Sequence, residues 1–138
     1  MRRYLLDTNI LSDAIKNPQG RTAKRIAAKQ PDAIFTSIVV AAEMRFCIEK
    51  KGSDGLAARV DALLNLIQVA PLGVDADRHY GRIRAQLERE GKSIGANDMM
   101  IAAHALSLDA VLVTGNVDEF SRVKGLKIEN WLVAMVRQ

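Results

Sequence analysis

The sequence has few of the features that mark a secreted, disulfide-linked or membrane-spanning protein. Its single cysteine, Cys47, excludes an internal disulfide framework and a cysteine-based zinc site. No apolar stretch approaches the roughly 20 residues that a helix needs to cross a bilayer. The first apolar run ends at the acidic Asp7, too early for the hydrophobic segment of a signal peptide. We therefore expect a cytoplasmic protein without a membrane segment. Cys47 has apolar helical neighbours, so we expect a small buried side chain there.

Size and charge set only broad limits. At 138 residues the chain is expected to form one domain spanning residues 1–138. Such a chain buries roughly 68% of the surface that it exposes when unfolded. There is no internal repeat, low-complexity segment or linker. The formal charge of +4 favours contact with polyanions, but it does not by itself identify a nucleic-acid-binding protein.

Short apolar runs alternate with longer segments of helical periodicity. The runs predict strands at 4–6, 34–40, 67–72, 110–114 and 126–128. The periodic segments predict helices at 8–15, 22–30, 40–51, 56–66 and 75–90, and one that begins at 98. Strands that alternate with helices indicate βαβ units. The predicted fold is therefore a three-layer α/β/α sandwich with a mainly parallel central sheet.

Four acidic residues lie near the ends of the predicted strands or at a helix start. They are Asp7, Glu43, Asp98 and Glu119. In an open parallel sheet the ligand crevice lies beyond the carboxyl ends of the strands. Carboxylates gathered there repel one another unless a hard cation neutralises them, and Mg²⁺ and Mn²⁺ prefer such oxygen ligands. The set predicts a metal-dependent phosphodiesterase.

Each acid also has a purely structural alternative. Asp7 could serve only as a helix N-cap, a position where the helix dipole favours an aspartate. Glu43 could face solvent. Asp98 could cap its helix, unless Asn97 already does so. The prediction therefore depends on the set of four rather than on any one of them.

Four local motifs resemble those of PIN-domain ribonucleases, and in order and spacing those of VapC-type toxins. The motifs are Leu-Leu-Asp-Thr-Asn-Ile at 5–10, Thr36-Ser37 followed by Glu43, Ile-Gly-Ala-Asn-Asp-Met-Met-Ile-Ala-Ala-His-Ala at 94–105, and Val-Thr-Gly-Asn at 113–116 with Glu119-Phe120 and Val123. The third is the most specific. Together they cover nearly the whole chain, from about residue 1 to residue 131.

The resemblance implies more than the fold. It implies an endoribonuclease that depends on Mg²⁺ or Mn²⁺, forms homodimers and is inhibited by a VapB-like antitoxin, with tRNA as one candidate substrate. By position, the metal ligands are Asp7 and Asp98, and Glu43 and Glu119 complete the acidic set. The polar residues that orient the carboxylates or contact phosphate are, by position, Thr8, Ser37 and Asn116.

Three positions carry open questions. Asp118 and Glu119 are adjacent, and either could be the fourth acid. Gly115 replaces the bulkier polar or basic residue usual after the motif's threonine, which predicts that a substrate contact or a hydrogen bond is missing there. His104 is expected to pack within its helix rather than to bind metal.

Cations of helix 75–90, with Arg122 and Lys124, are expected to contact RNA.

Two other functions remain as alternatives at this point. A phosphotransfer protein also places an aspartate and a threonine after strands, as Asp7 and Thr114 are placed. A phosphatase of the haloacid dehalogenase type, however, needs a second aspartate where this chain has Asn9. The other alternative is a non-catalytic metal-binding module that partners an antitoxin in transcriptional repression.

Overall fold

A computed structural model describes residues 2–134. The strands are β1 Tyr4–Leu6, β2 Ile34–Ser37, β3 Gln68–Ala70, β4 Val111–Val113 and β5 Ile128–Glu129. The helices are α1 Thr8–Lys16, α2 Arg21–Ala28, α3 Ile38–Lys51, α4 Asp54–Leu66, α5 Ala76–Glu90, α6 Ala96–Ser107 and α7 Val117–Phe120, with a 3₁₀ turn at Pro31–Ala33. No helix within this part of the chain combines the length and the apolar character that a bilayer span requires.

The five strands form one parallel sheet in the order β3-β2-β1-β4-β5. Every residue of β1, β2 and β4 is buried. A parallel strand that is buried on both faces needs helices on both sides of the sheet. The predicted three-layer α/β/α sandwich is confirmed.

The strand order places a crevice beside β1. The chain leaves β1 for β2 and β3 on one side and returns through β4 and β5 on the other. Leu6 pairs with Val113, and the Asp7 N–H donates to the Val113 carbonyl at 2.9 Å. The carboxyl ends of β1 and β4 are therefore adjacent where the strand order reverses, which is where open α/β sheets bind ligands.

The second strand is shorter than its apolar run suggested. It ends at Ser37, whose hydroxyl accepts the Val39 N–H at 3.0 Å and so caps α3. The β-branched residues at 38–40 form the first turn of this helix instead of extending the strand. The cap and the burial of Val40 outweigh the strand preference of these residues.

The prediction for Cys47 is wrong, because its side chain is exposed. Cys47 lies on α3 beside Met44 and Leu56, as its apolar neighbours suggested, but these residues border an open groove next to α4. Sequence neighbours indicate an apolar surface without indicating whether another element covers it.

Candidate active site

Asp7 lies at the centre of a hydrogen-bond network at the carboxyl end of β1. Its Oδ1 accepts the Thr8 N–H at 2.8 Å, which makes Asp7 the N-cap of α1. Its Oδ2 accepts the Thr114 hydroxyl at 2.7 Å and the Asn9 amide at 3.4 Å. Burial raises the pKa of Asp7, although these three donors favour the carboxylate. Asp7 therefore caps α1, and its Oδ2 is directed toward Thr114 at the end of β4.

Glu43 approaches this network from α3. The Thr8 hydroxyl donates to Glu43 Oε1 at 3.2 Å, so one residue of α1 connects the two acids. Partial burial raises the pKa of Glu43, and the negative charge of Asp7 raises it further. Glu43 thus faces the crevice, and its apolar sequence neighbours, such as Met44, pack in the core.

Asp98 is the third residue of α6. The N-cap of α6 is Gly95, and no side chain caps the helix, so neither Asp98 nor Asn97 has the capping role that was considered for it. Partial burial is the main cause that raises the pKa of Asp98 to about 7. A hydrogen bond with the Glu119 carboxyl group raises this pKa further, as do the nearby charges of Asp7 and Glu43. The structure therefore brings together the four acids that are far apart in the sequence.

The geometry also distinguishes Asp118 from Glu119. Glu119 is half-buried, shares a hydrogen bond with Asp98 and accepts the Asn116 side-chain amide at 3.1 Å. Asp118 is exposed, and its backbone carbonyl accepts the Ser121 hydroxyl at 3.1 Å. Glu119 is therefore the acid that joins the cluster.

Ser37 does not lie in the crevice. It is fully buried, and its hydroxyl caps α3 and lies 2.7 Å from His104 Nδ1. His104 is likewise fully buried, and its Nε2 has no hydrogen-bond partner among the described residues. Burial lowers the pKa of His104, which favours a neutral ring. The pair links α3, which carries Glu43, to α6, which carries Asp98.

Two residues of the network were absent from the predicted site. The Thr114 hydroxyl donates to Asp7 and accepts the Asn116 N–H at 3.0 Å. The Asn9 amide reaches Asp7, and its Oδ1 accepts the Gly115 N–H at 2.9 Å. Their place directly after β4 and near the end of β1 was the available signal, because polar side chains at strand ends meet at one edge of the sheet.

The cations expected to bind RNA have protein partners in several cases. Arg84 pairs with Glu88, Lys124 lies 3.5 Å from Glu90, and Arg122 donates to the Ser93 carbonyl. The cation that lines the crevice is Lys16, on α1, which the sequence had not singled out.

The crevice is open and has a volume of about 510 Å³. It has room for a hydrated cation beside a phosphate group, since a water molecule takes up about 30 Å³ in the liquid. Its lining residues are Asp7, Thr8, Asn9, Ser12, Asp13, Lys16, Glu43, Asp98, Asn116 and Leu132.

The donor set fits a hard divalent cation. Within residues 2–134, no three His, Cys, Asp or Glu side chains form a ready-made cage for a metal ion. Mg²⁺ keeps several of its waters, however, and needs only one or two direct carboxylate ligands. Asp98 is close enough to Glu119 for the two carboxyl groups to share a proton, which relieves part of the charge repulsion that a cation would otherwise neutralise.

Comparisons with known proteins agree with this geometry. Residues 4–126 match the PIN domain family. Ribonuclease VapC2 of Rickettsia felis is 35% identical over 93% of this chain and 97% of that protein. The tRNA(fMet)-specific endonuclease VapC of Shigella flexneri is 35% identical over 95% of this chain and 99% of that protein.

Solved structures extend the comparison. The chain matched in VapBC2 of Rickettsia felis, bound to a DNA fragment from its promoter, superposes with a TM-score of 0.86 at 32% identity, covering 93% of this chain and 98% of the other. The chain matched in DNA-bound VapBC of Salmonella typhimurium gives a TM-score of 0.87 at 34% identity, covering 95% and 99%.

Proposed function

Because this chain belongs to the PIN-domain family, with VapC ribonucleases among its relatives, we propose that it is a metal-dependent endoribonuclease acting as the toxin of a toxin–antitoxin pair. The observation that supports this most is the meeting of Asp7, Glu43 and Asp98 at one crevice, with Glu119 hydrogen-bonded to Asp98. A negatively charged pocket repels RNA phosphate unless a cation occupies it, so the site requires a metal in order to act on a polyanion.

The residues have separate roles in this proposal. Asp7 and Asp98 would hold Mg²⁺ or Mn²⁺, and Glu43 and Glu119 would complete the acidic set around it. A bound ion of this kind activates a water and stabilises the charge that develops on the phosphate. Thr114 and Thr8 fix the carboxylate orientations through the hydrogen bonds described above. Lys16 contributes a positive charge beside the acids, where the next RNA phosphate would lie.

The partners follow from the same premise. The two solved structures described above are VapBC structures with DNA, so we propose that this chain binds a VapB-like antitoxin, and we extend the proposal to a cytoplasmic homodimer. A purely repressive, non-catalytic module would not need the carboxylate cluster. A phosphotransfer protein is not favoured, because the relatives are named ribonucleases and endonucleases.

The isolated protein is expected to cut RNA with Mg²⁺ or Mn²⁺ and to lose this activity in EDTA. tRNA is the first substrate to test, with rRNA and mRNA beside it, since a relative is named a tRNA(fMet)-specific endonuclease. Sequencing of the RNA ends identifies the cut site. Undiminished cleavage in EDTA would rule out the proposed chemistry.

Glu119→Gln is expected to lower Mn²⁺ affinity and RNA cleavage by about 10–100-fold, the usual loss when a group that supports metal ligands is changed. The glutamine keeps an oxygen that can accept the Asn116 amide, so the loop should remain in place. Titration calorimetry and initial rates measure the two effects.

Asp118→Asn is the matched control for Glu119→Gln, since it removes a carboxylate one residue away on an exposed side chain. It should leave affinity and rate within a factor of about two. An equal loss in both variants would show that total charge in this loop matters, rather than the contact of Glu119 with Asp98.

A further inference from the structure

Gly115 lies directly after Thr114 and contacts Asn9, which lines the crevice, and the side chain of Leu132 covers it. A Cβ added at Gly115 would overlap Leu132 Cδ1 and would lie 3.5 Å from Asn9 Oδ1. The space that a side chain at 115 would occupy is therefore filled by a residue 17 positions further along the chain.

The backbone at Gly115 is held in place by the site itself. Its N–H donates to Asn9 Oδ1 at 2.9 Å, and Asn9 also contacts Asp7 and Thr114. A shift of this backbone would break those hydrogen bonds. If residue 115 gained a side chain, Leu132 would have to move, because its side-chain end is the less constrained partner.

The backbone around Leu132 is held by contacts with neighbouring residues. Trp131 is fully buried, with its ring 5.2 Å from that of Tyr4, and its carbonyl accepts the Thr22 hydroxyl at 3.1 Å. The Leu132 N–H donates to Asn130 Oδ1 at 3.0 Å. The backbone of Leu132 is thus held in place, and the end of its side chain is the part that can shift.

Leu132 differs in chemistry from the rest of the crevice. Of the ten described residues that line it, Leu132 is the apolar one, and the others carry carboxylate, hydroxyl, amide or ammonium groups. The polar groups suit a cation and phosphate oxygens. An apolar wall suits the parts of a nucleotide that are not charged, which are the face of the base and the carbons of the ribose.

We propose that Leu132 is a specificity-determining residue that packs against the base of a nucleotide next to the cut phosphate. Leu132 takes the place of the side chain that Gly115 lacks. This inference depends on the ribonuclease activity proposed above. The glycine at 115 was expected to cost a substrate contact, and Leu132 would supply an apolar contact instead.

The test uses the full-length protein with Mn²⁺ and a pool of RNA oligonucleotides of random sequence, whose cut ends are sequenced. Leu132→Ala should weaken the base preference beside the cut by about tenfold, since a hydrophobic contact discriminates by roughly 10–200-fold. Mn²⁺ affinity, measured by calorimetry, should stay unchanged. Val133→Ala, at the adjacent exposed position, is the control and should keep the base preference.

A second pair of variants tests the proposed packing. Gly115→Ala should lower the melting temperature of the wild-type protein but have much less effect in a Leu132→Ala background, where the overlapping atoms are absent. Equal effects in both backgrounds would overturn the packing argument. If Gly115→Ala does not fold alone, recovery of folding in the double variant gives the same answer.

The outcomes separate this inference from the proposed function. If the wild-type protein cuts RNA and Leu132→Ala keeps the same base preference, the role of Leu132 is wrong and the ribonuclease stands. If the wild-type protein cuts no RNA with Mn²⁺, the proposed function fails and this inference fails with it.

Discussion

Asp7→Asn is expected to reduce RNA cleavage by about 10³-fold and to leave the fold intact. A metal site contributes several kcal/mol to transition-state stabilisation, and about 4 kcal/mol corresponds to such a factor. Asparagine is also a good N-cap: its Oδ1 can still accept the Thr8 N–H, and its side-chain nitrogen can donate to the Thr114 hydroxyl oxygen, so α1 and its contact with β4 should persist. Cleavage rates and circular dichroism measure the two effects.

Asp32→Asn is a suitable control for Asp7→Asn, since Asp32 is exposed in the 3₁₀ turn before β2. Its cleavage rate should match that of the wild type. In growing cells, induced expression should arrest growth for the wild type and for Asp32→Asn but not for Asp7→Asn. Arrest that persists without Asp7 would favour the non-catalytic module over the ribonuclease.

Asp98→Asn is expected to lower the rate of RNA cleavage and to raise the stability of the metal-free protein. Cleavage should fall by about 10³-fold, because a metal ligand is lost. The metal-free protein should nevertheless become more stable at pH 8, because a carboxylate crowded by Asp7, Glu43 and Glu119 is replaced by a neutral amide. The gain should be modest, since Asp98 is only half-buried and solvent screens its charge.

The pH dependence of this gain follows from the raised pKa of Asp98. The carboxyl group has a pKa of 3.8 in an unfolded chain and about 7 in the folded protein. Between about pH 4 and pH 7 the folded state holds a proton that the unfolded state has released, so rising pH destabilises the folded wild type. Below pH 4 the carboxyl group is protonated in both states, so it does not destabilise the folded protein. Above pH 7 it is ionised in both states, and the destabilisation is complete and no longer changes with pH.

Melting temperatures in EDTA test this pH dependence directly. The difference between Asp98→Asn and the wild type should be near zero at pH 4, grow until about pH 7 and then level off. Saturating Mg²⁺ at pH 8 should stabilise the wild type, by about 2.7 kcal/mol at 100 times the dissociation constant, and leave the variant almost unchanged. A difference that is constant with pH, or equal stabilisation by Mg²⁺, would contradict the placement of Asp98 in the metal site.

The sequence predicted the fold class because periodicity is a local property. Buried parallel strands appear as short apolar runs, and the helices between them show a stripe of apolar residues, so the βαβ alternation needed no tertiary information. The boundaries were harder. Apolar residues lie on both sides of Ser37 in the run at 34–40, and only the Ser37 cap and the packing of α3 decide where the strand ends.

The sequence by itself also placed Asp7 at the carboxyl end of β1, because residues that follow parallel strands emerge at one edge of the sheet, and it singled out Glu43 and Asp98 as its partners. Tertiary structure decided the rest. It placed Glu119 rather than Asp118 against Asp98, and it placed Leu132 over Gly115. It also buried Ser37 in the core and left Cys47 exposed. Each of these outcomes depends on a side chain contributed by a distant segment or on whether such a segment covers the residue. Local sequence patterns specify the type of an element and which of its faces is apolar, but they do not specify which distant segment covers that face.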